Sequence, residues 1–150
     1  MPSFTADISR WIAQTKLDGV TVVRKLALDA YAGILQRSIV DTGRFRASHR
    51  LSLGSLDPTV EPPREGGPSM RDTLQFQDAN PNELAAANST LNGARWGDTV
   101  IISNSLPYAK KLEDGGSAQN GFAEDGIYGE TFAEMLANLD RAIREALRDA

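Results

Sequence analysis

Three β-branched residues, Val100, Ile101 and Ile102, run into the polar turn Ser103 to Ser105 and then into Leu106-Pro-Tyr-Ala-Lys-Lys-Leu-Glu-Asp114, closed by Gly115 and Gly116. No other stretch restricts the fold as strongly. β-branched side chains pack well on a pleated surface, so Val100–Ile102 is expected as a buried strand. Ser105 suits the cap of a helix, and Pro107 fits its first turn, where the missing N–H costs nothing. Leu106, Ala109 and Leu112 then share one face of a short helix to Asp114, while Lys110 and Lys111 point outward. Gly115 supplies a helix stop. The segment therefore predicts a strand-to-helix corner.

The flanking chain supplies the partners of that corner. Ile8, Trp11, Ile12 and Thr15 recur at helical spacing, Asp18-Gly19 interrupts, and Val20, Val23, Ala27, Ala30 and Ile34 continue the pattern to about Ile39. One bent helix or two helices satisfy this pattern. Asp41-Thr42-Gly43 stops it, because Gly43 tolerates a positive φ. Phe45, Ala47, His49, Leu51 and Leu53 alternate as a half-buried strand would. A hairpin-like pairing of Thr99–Ser103 with Phe45–Leu53 would make the sheet antiparallel.

Residues 54–72 contain Pro58, Pro62, Pro63, Pro68 and Gly66-Gly67, which predicts an extended loop that reaches towards a neighbour. A modest helix follows from Pro81 to about Leu91, with Asn80 as its cap. Phe132, Met135, Leu136, Leu139, Ile143 and Leu147 form an apolar stripe on one C-terminal helix, expected to pack on the sheet. The fold class is thus α+β: a small, mainly antiparallel sheet packed by a long N-terminal helical segment and a C-terminal helix, in one domain over 1–150.

Two spaced motifs add a resemblance. Asn104, Leu106-Pro-Tyr-Ala109, Lys110-Lys111, Leu112-Glu113 and Gly115-Gly116-Ser117 resemble the strand-to-helix corner of the phage neck and tail-completion proteins, the minor tail protein Z-like family of head–tail joining components. Val40-Asp-Thr-Gly-Arg-Phe-Arg-Ala-Ser48 is similar to that family's turn between its long N-terminal helix and first strand. The likeness covers about two-thirds of the chain. It departs after Ser117, where Gln119 is followed by Asn120-Gly-Phe-Ala-Glu-Asp-Gly126, and it has no counterpart between Leu53 and Arg95.

The resemblance implies a structural virion protein at the head–tail junction, assembled in the host cytoplasm. Its copies would close into a ring of six or twelve, bound by portal or adaptor proteins on the head side and by tail terminator, tube or sheath proteins on the tail side. DNA would pass through without specific binding. On this reading Tyr108, Lys110, Lys111, Glu113, Arg44, Arg46, Pro62 and Pro63 are interface candidates. Asp41, Thr42, Gly43, Asn104, Leu106, Pro107, Gly115 and Gly116 shape the backbone. Alternatives are a tail terminator or head-completion stopper of the same assembly, a small carboxylate-dependent enzyme, or a regulatory binding module.

Composition agrees with a non-catalytic role. Eight basic residues stand against four acidic ones in residues 1–50, and eight against sixteen in residues 51–150, for a net charge of −4. That polarity suits either an ordinary solvated surface or a head-to-tail contact between copies, and a net-negative chain is a poor candidate for gripping duplex DNA. There is no cysteine and one histidine, so neither a disulfide nor a zinc ribbon is expected, and His49 is read as structural or solvated. His49 and Ser48 are neighbours on a strand and would point to opposite faces, which misplaces them as base and nucleophile. No Gly-x-x-x-x-Gly-Lys, calcium-loop or His-Glu-x-x-His spacing occurs, and no metal or cofactor is expected. No export signal is expected, because residues 1–20 hold no continuous apolar stretch after a basic one, and no run approaches membrane-spanning length.

Overall fold

A computed structural model describes residues 4–38, 44–63, 81–116 and 126–148. Its spine is α1 (Phe4–Arg37), a helix roughly 50 Å long at the standard rise. The chain then forms a helical turn α2 (Arg44–Ala47), strand β1 (His49–Leu53), α3 (Pro81–Asn92), strand β2 (Val100–Asn104) and the short α4 (Ala109–Lys111). A wide π-type turn (Leu112–Gly116) follows, then α5 (Ile127–Ala137) and α6 (Leu139–Arg148). The fold is α+β and mainly helical, with a two-stranded antiparallel sheet among the described residues.

The expected strand pairing is present, with His49 opposite Asn104 and Leu51 opposite Ile102. One core centre gathers Ile34, Phe45, Leu106 and Ile127, with Val60, Ile102, Ala109, Leu112 and Tyr128 around it. A second gathers Tyr31, Leu35 and Ala87 with Leu28, Leu51 and Leu84, and Ile102 belongs to both. The middle residue of β2 thereby couples the two halves of the core. Each large aliphatic side chain buried there stabilises the fold by roughly 2 kcal/mol.

Several local expectations are corrected. Asp18-Gly19 does not interrupt α1, because the indole of Trp96 lies over Gly19 where a Cβ would stand. The backbone thus stays helical while the missing side chain makes room for a ring. Phe45 is not in the strand: residues 44–47 turn helically so that Phe45 enters the core, and β1 starts only at His49. Ser105 does not cap the corner. Asn104 does, its Oδ1 accepting the Leu106 amide at 3.1 Å, and the helix starts at Ala109 beyond Pro107 rather than at Leu106.

The C-terminal stripe is also placed differently. Asn138 divides the expected single helix in two, and both halves pack along α1 instead of lying on the sheet. Short residues make that contact, since Thr131, Ala142 and Ala146 are buried. Arg37 fixes it by donating to Thr131 Oγ1 and pairing with Glu134. Phe132 and Leu136 are left 54% and 64% exposed on the outer flank. Asp41, Thr42, Gly43 and Asn80 lie outside the described residues.

The half of the breaker-rich loop that is described is tied to the body by three hydrogen bonds. Arg44 Nε donates to the Glu61 carbonyl at 2.8 Å, Ser48 Oγ accepts the Glu61 amide at 3.0 Å, and Arg50 Nε donates to Thr59 Oγ1 at 3.0 Å. Two of these bonds satisfy the Glu61 backbone, which pairs with no strand among the described residues, and they bring Val60 onto the core. Residues 64–72 lie outside the described residues.

Replacing Gly19 with alanine tests the Trp96 contact. The added methyl must displace the indole, whose other face is already exposed, while removing a helical glycine gains up to about 1 kcal/mol. The expected outcome is a red shift of tryptophan emission with a stability change within about 1 kcal/mol by urea titration. An unchanged emission spectrum would show that the ring does not rest there.

Candidate functional site

The two motifs meet around one buried imidazole. His49 is 1% exposed at the start of β1 and is touched from four other elements. Ser38, just past the end of α1, donates from Oγ to the Ile34 carbonyl at 2.6 Å and lies 2.7 Å from His49 Nε2. A hydroxyl has one proton, so Ser38 must accept from Nε2–H. That assigns the tautomer. Nδ1 is then the acceptor for the Tyr128 hydroxyl of α5 at 2.8 Å.

The remaining contacts close the ring of partners. Tyr31 of α1 donates to the His49 carbonyl at 3.1 Å. Phe45 stands edge-on to the imidazole with centroids 4.9 Å apart. Asn104, opposite His49 in the sheet, donates to the Phe45 carbonyl at 2.9 Å and holds the Leu106 amide with its other end. The corner that begins with Asn104 is therefore tied to the helical turn before β1 by one side chain.

This network favours a neutral histidine. Burial pushes the His49 pKa down to about 3, and the Arg46 and Arg50 guanidinium groups push in the same direction. The Tyr128 hydroxyl is raised above its ordinary range by burial first and by the nearby Glu113 charge second, which keeps its proton available to Nδ1. The Ser38–His49 pair has the wrong polarity for nucleophile activation: the serine proton already points to a carbonyl and the base nitrogen carries a proton. Its chemistry is adhesive.

Glu113 is the second fixed point. Its Oε2 accepts the Tyr128 amide at 2.9 Å and its Oε1 accepts the Gly129 amide at 3.0 Å, at the start of α5. The residue before that helix is Gly126, which has no side chain to serve as a cap. A carboxylate from the π-type turn does the work, where the exposed amides and the helix dipole both favour negative charge. Gly126 is required for the close approach, since its φ is +89° and a Cβ there would lie 2.8 Å from the Glu113 carbonyl oxygen.

The sequence-based interface candidates separate into two groups. Tyr108, Lys110, Lys111, Pro62 and Pro63 are exposed. Lys110 pairs with Asp114 one turn on, and the Tyr108 ring leans on Phe45 with centroids 6.5 Å apart. Arg46 is buried, Arg44 is half-buried and spends its Nε on Glu61, and Glu113 is turned into the α5 cap. Of the backbone-shaping residues, Asn104 and Leu106 sit at the centre, Pro107 lies in the exposed turn, and Gly115 and Gly116 end the π-type turn. Sequence reasoning missed Ser38 and Tyr128, which lie 11 and 79 positions from His49 with no local spacing to betray them.

Elsewhere the described residues hold no cluster of three or more potential metal ligands. No helix among them is long and apolar enough to cross a membrane. No family model, curated protein or solved structure matches the chain.

Two measurements follow. The His49 pKa is lower in the folded chain than its ordinary 6.5, so the unfolded chain binds a proton that the folded chain refuses. Stability from this group is full above about pH 6.5 and is lost as pH falls towards 3, by about 1 kcal/mol per pH unit. His49→Gln should flatten that dependence between pH 6 and 4 in denaturant titrations and lower stability at pH 7. Glu113→Ala removes both cap bonds and should cost about 1 to 2 kcal/mol, with Glu113→Gln recovering part of it, measured by thermal unfolding.

Proposed function

We propose that the chain is a structural subunit of the neck of a tailed phage, one copy of a ring that joins the DNA-filled head to the tail. The observation that carries this reading is how the residues of the two resembling motifs are used. Asn104 holds the Leu106 amide and Glu113 holds the first amides of α5, which stiffens the corner, while Tyr108 and Lys111 are left on its outer side. A ring subunit needs such a support, because a contact surface held by packed and hydrogen-bonded elements loses little entropy on assembly.

Charge and topology favour the same reading. A basic N-terminal third and an acidic remainder give unlike surfaces to successive copies, and heterologous contacts that close produce rings. The net negative charge of the chain suits a conduit that lets DNA pass without holding it. Portal or adaptor proteins on one side and tail proteins on the other are its proposed partners, and the virion neck its place.

Loss of the gene in its phage should leave filled heads and finished tails unjoined in electron micrographs. Tyr108→Ala with Lys111→Glu should reduce joined particles at least about tenfold while the isolated chain stays folded by circular dichroism. Tails of uncontrolled length would instead identify a tail terminator, and heads that leak their DNA a stopper. Normal virions without the gene would overturn the proposal.

A further inference from the structure

The first third of α1 leaves the body as an arm, with residues 5–17 exposed along it. Near the place where the arm begins, one side chain ties α1 to the end of α3. Arg24 donates from Nη2 to the Asn92 carbonyl at 3.1 Å and to the Ala94 carbonyl at 3.0 Å. Asn92 is the last residue of α3 and is followed by Gly93, and both are exposed. The clamp is therefore built on a dipeptide that is chemically labile in water.

Asparagine followed by glycine modifies itself when its backbone is free. The Gly93 nitrogen attacks Cγ of the Asn92 side chain, and the new N–Cγ bond closes a cyclic imide. The Cγ–Nδ2 bond breaks, and the proton lost by the Gly93 amide passes through solvent to the departing ammonia. Water then opens the imide, at Cγ to give aspartate or at the Asn92 main-chain carbonyl to give isoaspartate. Water is consumed, ammonia is released and no other reactant is needed. Glycine hinders this least, since no Cβ crowds the attacking nitrogen.

The fold holds that attack back. Ring closure needs the planar unit between Asn92 and Gly93 to rotate out of its helical setting, so that the nitrogen swings over Cγ. Both ends of that unit are held: the Gly93 N–H donates to the Thr90 carbonyl at 3.1 Å, and the Asn92 carbonyl accepts from Arg24. The Asn92 side-chain amide, by contrast, makes no hydrogen bond among the described residues.

We infer that Asn92-Gly93 is a deamidation site latched by Arg24, which reacts only when the end of α3 comes away from α1. Latch and clamp are the same bond. Isoaspartate adds a methylene to the main chain between residues 92 and 93, which displaces Gly93 and Ala94 and with them the second carbonyl that Arg24 holds. A modified chain therefore loses part of the clamp that aims its arm. None of this depends on the neck reading.

The test follows Asn92 in the full chain at mildly alkaline pH by peptide mapping with mass spectrometry, which separates this site from Asn120-Gly121. Deamidation at Asn92 should be at least about tenfold slower in the native chain than in the same chain unfolded in urea. The slowing should match the hydrogen-exchange protection of the Gly93 amide, because both need the same opening. Arg24→Ala should raise the native rate about tenfold, and Arg24→Lys, which keeps a charged donor, should raise it less. Equal rates in the native and unfolded chains would overturn the inference. So would a native rate unchanged by Arg24→Ala in a chain that circular dichroism shows to be folded. If Arg24→Ala does not fold, the unmodified sequence decides: a Gly93 amide that exchanges freely, or one that is protected while Asn92 reacts at the unfolded rate, rejects the latch.

Discussion

Everything rigid in this fold converges on a histidine kept without charge. The His49 side chain joins the end of α1 through Ser38 and the start of α5 through Tyr128, its carbonyl is held to α1 by Tyr31, and Asn104 faces it across the sheet. Each of these partners is suited to the neutral imidazole, and two arginines nearby penalise the charged one. In a low-dielectric interior a polar group left without a partner costs more than a made bond contributes, so the five elements are held to one mutual arrangement. The small sheet alone could not do this, since a two-stranded sheet is marginal by itself.

Glu113 extends that order to the C-terminal helices. Gly126 gives α5 an entry with positive φ and no side chain, which leaves the first amides of the helix without a local cap. The π-type turn widens the chain at Leu112–Gly116 and brings a carboxylate to those amides from fifteen and sixteen residues away in sequence. Corner and helix are therefore mutually dependent. A surface carried by the corner inherits its stiffness from α5, and α5 in turn is pinned along α1 by Arg37.

What was legible in the sequence follows from range. Val100–Ile102 as a strand, its antiparallel pairing with the segment that ends at Leu53 and the helix from Pro81 are set by residues close together in the chain and stand in the structure, although β2 is half-buried rather than buried and its partner begins at His49 rather than Phe45. Gly19 was misread because a glycine normally weakens a helix, and nothing near it announces that Trp96 will occupy the space. Phe45 alternates with its neighbours like a strand residue, yet its burial beside Ile34 and Leu106 requires the chain to turn first. The C-terminal stripe had the right period and the wrong owner: Ala142 and Ala146 allow close approach to α1, and the larger Phe132 and Leu136 stay outside. Ser38, Tyr128 and the capping role of Glu113 depend on separations that only the fold brings together.

The continuity of α1 gives the arm and the corner a common frame. Had Gly19 bent the helix, residues 4–18 would hang from a hinge and their direction would be independent of the body. Trp96 instead fills the gap that the glycine leaves, and Arg24 reaches from the next turn to the Asn92 and Ala94 carbonyls at the end of α3. The helix is clamped on both sides of the place where it leaves the domain. A helix bends only gently without a proline or a bulge, so the clamp fixes where Trp11 points relative to Tyr108, some distance away on the same body. For a subunit that must present unlike surfaces to two neighbours at one set angle, that relation matters more than the strength of either contact.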